Sequence, residues 1–176
     1  MATWPKQGLN IVVHDDNMLA VLSREVDEAA SQVWKGVSPL KLSSGLYAEW
    51  VSTADGELAA WSKEDGHNAT GKRCSVVLAL PGVEIEGNFL GAAAATNVLA
   101  ATDYGLNRDL AVSAPLIGGA TRGWYILDSA VAAAVRITEF ATNFPLPESQ
   151  NDRPIAGDSD VRLRAHPLIS ILHWYD

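Results

Sequence analysis

The sequence predicts a mainly β protein, a β-barrel or jelly-roll-like β-sandwich with one or two short helices. Three observations carry this. Short apolar runs recur between Gly-, Pro- and Asp-rich turns, and several of them alternate apolar with polar residues. One run, Cys74 to Leu80, is continuously apolar but for Ser75, as a strand covered on both faces is. Sustained helical periodicity is scarce, and eight or more short strands with little helix favour a barrel or sandwich.

The elements follow in order. Ile11 to Val13 is a short β-like run ending at the polar cluster His14-Asp15-Asp16-Asn17. Met18, Leu22, Val26, Ala29 and Val33 recur at helical spacing, while Val21, Ser23 and Glu25 also fit an extended chain, so both readings stand here. Val37 to Leu42 is a strand whose Pro39 marks an edge or a strand start. Leu46 to Ser52 and Glu57 to Ser62 are extended pieces around the turn Thr53-Ala54-Asp55-Gly56. A polar loop, Lys63 to Gly71, precedes the Cys74 to Leu80 strand, which Pro81-Gly82 stops. Val83 and Ile85 alternate with Glu84 and Glu86, the pattern of a strand with one wet face, and Gly87-Asn88 is expected to end it.

Gly91 to Thr102 is alanine-rich and suits one or two helical turns, followed by the turn Asp103-Tyr104-Gly105. Leu106 to Ser113, Gly123 to Asp128 and the alternating stretch around Val135 and Ile137 are further strands. Phe144 to Asp160 is a Pro- and Asp-rich loop, longer than most connections in a compact domain. Val161, Leu163 and Ala165 alternate with Arg162, Arg164 and His166, and Leu168 to Trp174 closes the chain in another apolar run.

At 176 residues the chain suits a single domain over 1–176. Its expected parts are an N-terminal arm over 1–16, a β core over 33–142 and 161–174, and a long surface loop over 144–160. Hydrophobic content of 48% with 19% charged residues is globular composition. Thirteen Lys and Arg against 21 Asp and Glu give a net charge of −8, poorly suited to gripping a phosphate backbone, so no direct nucleic-acid partner is expected. The start MATWPKQGLN lacks the basic start and long apolar stretch of a signal peptide, and no apolar run approaches the ~20 residues of a membrane helix. No membrane partner is expected.

Catalytic signatures are absent: there is no G-x-S-x-G elbow, Walker loop or H-E-x-x-H. The single cysteine, Cys74, excludes thiolate zinc sites and reads as a buried small hydrophobe. His14-Asp15-Asp16-Asn17 and Glu64-Asp65-Gly66-His67-Asn68 could offer ligands, but adjacent side chains of an extended chain diverge and the second lacks calcium-loop spacing. Both read as solvated turns, so no metal, cofactor or catalytic residue is assigned. Of six tryptophans, Trp4 and Trp174 lie near the termini and are the better interface anchors. Arg162 and Arg164 share one strand face, either a docking stripe for an acidic partner or the wet side of a sheet.

The stretch LAAWSKEDGHNATGKRCSVVLALPGVEIEGNFLGA, Leu58 to Ala92, resembles the central block of small structural proteins of tailed-phage virions. Ala101 to Val112, Gly123 to Phe140 and Gly157 to Ser170 resemble the same proteins in the same order, so the likeness spans about Val33 to Ser170. Asp16 to Ser31 has no counterpart there, and Phe144 to Asn151 looks inserted. The resemblance implies a non-enzymatic capsid decoration or cement protein, made in the host cytoplasm and residing on the capsid surface of the virion. Its implied partners are the major capsid protein of the phage head and further copies of itself, as a ring-closing homo-oligomer such as a trimer. A tail, neck or minor capsid component is the alternative, and a small hydrolase or binding module a more distant one. The expected interface residues are Trp4, Pro5, Leu9, Phe144, Leu146, Arg162, Arg164, Trp174 and Tyr175, drawn from the arm, the long loop, the arginine stripe and the chain end.

Overall fold

The computed structural model describes residues 7–13, 22–51, 57–80, 82–113, 123–131, 133–140 and 156–168. Its strands are β1 (Asn10–Val13), β2 (Ser23–Asp27), β3 (Pro39–Ser43), β4 (Leu46–Glu49), β5 (Ala60–Ser62), β6 (Arg73–Leu78), β7 (Val83–Leu90), β8 (Asn107–Ser113), β9 (Gly123–Leu127), β10 (Val135–Phe140) and β11 (Arg162–Pro167). Besides the helical Leu22, the helix among the described residues is two short 3-10 turns, Ala92–Ala94 and Ala101–Asp103. The protein is therefore mainly β, as its punctuation predicts.

One sheet closes into a five-stranded barrel in the order β7-β11-β10-β8-β9, with β9 returning to pair in parallel with β7. Strand β7 makes this closure possible because its eight residues serve two neighbours along one edge. Val83 to Glu86 pair with β1, and Phe89 and Leu90 pair with Ile126 and Leu127 of β9. Gly87-Asn88 lies at that handover, so the strand runs through the dipeptide that sequence reading takes as its end. Gly87 is required there because a Cβ would collide with Cδ2 of Leu9, which enters the core where β1 gives way to β9.

The other sheet, β2-β6-β5-β3-β4, is antiparallel throughout. It curls until its outer strands touch: Glu28 bridges Tyr47, and the Ala29 amide donates to the Tyr47 carbonyl at 2.8 Å. Inside the curl sits a small cluster of Trp34, Leu40, Ala60, Cys74 and Val76. The opposite face contributes Trp61, Val77 and Ala79 to the larger core shared with the barrel. Strands β5 and β6 thus have apolar neighbours on both sides, which is why Val76 to Leu80 is apolar without alternation. Trp50 and Trp124 meet between the two layers with ring centroids 6.1 Å apart, and Trp124 Nε1 donates to Glu49 Oε1 at 3.1 Å. That joins β9 of the barrel to β4 of the curled sheet.

The helical reading of the segment after Asn17 is corrected from Ser23 onward; Leu22, the residue before it, is helical, and residues 18–21 lie outside the described residues. Ser23–Asp27 is a strand paired residue for residue with β6, and residues 28–35 are non-helical. Its exposed positions Arg24, Glu25 and Asp27 face water while Val26 packs on the small cluster. The extended alternative fits because β6 needs a partner on its outer edge, and tertiary pairing overrides a four-residue spacing. No helix among the described residues is long and apolar enough to cross a membrane.

Candidate functional site

The most developed polar constellation centres on Arg162, whose side chain is wholly buried. Its Nε donates to Glu86 Oε1 at 2.9 Å and its Nη2 to the Glu86 carbonyl at 2.9 Å. Its Nη1 reaches the Gly8 carbonyl at 3.1 Å, the Gln7 carbonyl at 3.4 Å and Asn88 Oδ1 at 3.3 Å. Asn88 completes the set: its Oδ1 accepts from the Gln7 amide at 2.7 Å, and its Nδ2 donates to the Asp160 carbonyl at 2.6 Å. Burial pulls the guanidinium below its ordinary range, opposed by the bond and charge of Glu86. Arg162 and Asn88 together therefore fasten residues 7–8, strand β7 and the turn before β11 to one another.

This corrects the reading of Arg162 and Arg164 as an exposed stripe. The strand alternates as expected, but the chain at Gln7 and Gly8 crosses the face on which Arg162 lies, and a planar five-donor group satisfies the carbonyls it covers. Arg164 keeps 13% of its side-chain surface and lies 3.7 Å from Glu86 Oε2. Leu9, expected to reach a partner, is instead 4% exposed and packs in the protein's own core. Trp4, Pro5, Phe144, Leu146, Trp174 and Tyr175 lie outside the described residues, as do the polar cluster 14–17 and most of the long loop.

A second fastening holds the polar loop Lys63 to Gly71. Glu28 is fully buried, and its carboxylate accepts from the His67 amide at 2.9 and 3.0 Å and faces His67 Nδ1 at 3.1 Å. Trp34 Nε1 donates to the Glu64 carbonyl at 2.9 Å, and the Asn68 amide to the Gln32 carbonyl at 2.8 Å. Gly66 fits because a Cβ would sit 2.8 Å from that same Gln32 carbonyl oxygen. At the rim, Asp65 accepts from Lys35 Nζ at 2.7 Å and from the Gly36 amide at 2.8 Å, which hold its carboxyl below the usual range. The His67 loop is thus a solvent-exposed turn, as its composition suggests, and these bonds clasp it to residues 28–36.

The remaining candidates have structural surroundings. Cys74 is buried, and burial together with Glu28, Glu64, Glu25 and Asp27 pushes its thiol up to about 11. Trp34, Trp50, Trp61 and Trp124 are core residues. Among the described residues no group of three His, Cys, Asp or Glu is arranged to hold a metal ion. At one end of the barrel, Arg108 pairs with Asp103 at 2.8 Å and Asp128 at 3.4 Å, with its guanidinium carbon 5.6 Å from the centre of the Phe89 ring. Beside it lies a shallow, solvent-open dent of about 320 Å³ lined by Gly105, Leu106, Asn107, Arg108, Ala130 and Arg136.

Sequence reasoning missed Glu28, Glu86 and Asn88. The available signal was weak: Glu86 and Asn88 alternate with core positions, so they resemble an ordinary wet face until residues 7–9 are laid beside them. No family model, curated protein or solved structure matches the chain.

Proposed function

We propose that this chain is a structural subunit of a tailed-phage particle that decorates the outside of the head shell. The observation that supports this most directly is the anchored root of its N-terminal segment. Arg162 and Asn88 clamp residues 7–8 to the barrel, so the six residues before them leave from a fixed point. An arm that grips a neighbour benefits from a fixed root, because the root itself loses no freedom on binding. Trp4 and Pro5 on that arm supply apolar area for the contact, with the major capsid protein and further copies of the chain as partners. The resemblance of Leu58 to Ala92 to virion proteins falls on β5, β6 and β7, the strands on which both layers are built.

The test is co-sedimentation of the purified protein with undecorated heads of the phage that encodes it. Decoration predicts saturable binding near the stoichiometry of the shell subunits. Deletion of residues 1–6 should weaken that binding at least about tenfold without changing the melting temperature. The deletion stops at Lys6 because Leu9 belongs to the core. Absence of binding by folded protein would overturn the decoration reading. Binding of only a single ring of copies would replace it with a neck or tail role.

A further inference from the structure

Strands β8, β10 and β11 lie side by side at the Arg108 end of the barrel, and their register sets three polar side chains in one row. Arg136 is the Cα partner of Asn107 on one side and of His166 on the other. Directly paired residues share a face with Cβ atoms about 5 Å apart, so the row runs Asn107, Arg136, His166 and carries no carboxylate. Asn107 and Arg136 are exposed and line the dent, whose apolar side chains are Leu106 and Ala130. The Arg136 Nε donates to the Gly105 carbonyl at 3.0 Å, a bond that holds the guanidinium against the wall of the dent. Among the described residues nothing bonds to its Nη1 or Nη2, or to the Asn107 carboxamide. The nearby carboxylates, Asp103 and Asp128, are engaged by Arg108 instead.

We propose that this dent is a binding site for a small carboxylate with a short hydrocarbon body. A guanidinium whose Nε is occupied still offers the N–H pair of Nη1 and Nη2, a fork that a carboxylate accepts bidentately. The Asn107 carboxamide adds a donor from the neighbouring strand. Leu106, 41% exposed, and Ala130 then cover the hydrocarbon body. That apolar wall sets the class, because inorganic phosphate would use the fork and leave the wall wet. At about 320 Å³ the dent lies at the low end of small-molecule sites, which restricts the ligand to a few carbon atoms. The net charge of −8 opposes anions in general, so affinity rests on the local fork and is on the order of millimolar. This inference is independent of the virion reading, since it concerns the isolated protein.

The experiment titrates the ¹⁵N-labelled full-length chain with sodium butyrate, at ionic strength held constant with chloride, and follows the Arg136 Nε–H and the amides of residues 105–108 and 130 by NMR. The site predicts saturable shifts of these resonances, with affinity at least about tenfold weaker in Arg136→Gln and severalfold weaker in Asn107→Ala. Arg136→Lys keeps the charge but not the fork, and should also bind more weakly than the native chain. Circular dichroism and melting confirm that each variant folds. A parallel titration with inorganic phosphate should give weaker binding at the same resonances. Phosphate binding as tightly as butyrate would overturn the carboxylate class in favour of a general oxyanion contact. Shifts that stay linear to about 0.1 M, that fall elsewhere, or that are indifferent to both Arg136 variants would overturn the site itself.

Discussion

Arg162→Met removes the guanidinium while keeping most of the aliphatic stem, so the packing of β11 changes little and the polar fastening is lost. Glu86 then keeps a carboxylate that is only 12% exposed, and the carbonyls of Gly8 and Glu86 lose their donor. Breaking a buried pair by removing one partner costs about 3–5 kcal/mol. Arg164 remains 3.7 Å from Glu86 and retains some compensation, which places the expected cost near the lower end, about 3 kcal/mol. For a chain of this size that is a fall in melting temperature of roughly 6–12 °C. Urea unfolding followed by tryptophan fluorescence measures the cost, because Trp50 and Trp124 lie in the core between the layers. Hydrogen exchange gives a local readout: the Gln7 amide, bonded to Asn88 Oδ1, should lose protection before the barrel amides do. Adding Glu86→Gln to Arg162→Met should recover at least about 1 kcal/mol, since the stranded charge is removed with its partner. A cost below about 1 kcal/mol, the worth of an exposed pair, with Gln7 still protected would refute the claim that Arg162 anchors the segment.

Three further outcomes are expected. Gly87→Ala should destabilise by about 1–3 kcal/mol through its clash with Leu9, and adding Leu9→Ala should cost less than the two changes summed, a coupling that a double-mutant cycle in urea measures. Glu28→Ala strips the His67 amide of a buried acceptor and should cost about 2–3 kcal/mol, with exchange in residues 63–72 accelerating more than exchange in the barrel. Cys74 should resist alkylation at pH 8 and react on unfolding, because only its thiolate attacks and the folded thiol titrates near 11; rapid labelling of folded protein by a maleimide would contradict this.

The fold class was legible because strands announce themselves through alternation and turns, and both signals are local. Pro39 marks a strand start, Pro81-Gly82 follows β6 closely, and the apolar run in β6 reflects its two covered faces. What local pattern could not convey was the handover along β7. Gly87-Asn88 has the composition of a turn, yet Gly87 is there to admit Leu9 and Asn88 to hold Gln7, contacts separated by about eighty residues of sequence. Arg162 failed for the same reason. Its place in an alternating strand says that it faces away from the barrel interior, but not that residues 7–8 cover it. Glu28 was equally hidden, since its partner His67 comes from a loop 39 positions away and each half alone resembles ordinary polar surface.

The closure of the barrel and the curl of the second sheet have a consequence for behaviour at high concentration. An open sheet offers a row of unpaired amides and carbonyls on which another molecule's strand can add without regard to side chains. Here β9 returns to β7 in the barrel, and the outer strands of the curled sheet are drawn together at Glu28 and Tyr47, with Arg24, Glu25 and Asp27 charged along β2. Crowded copies are thereby steered away from backbone templating. Fewer free strand edges leave side chains a larger part in any contact between copies.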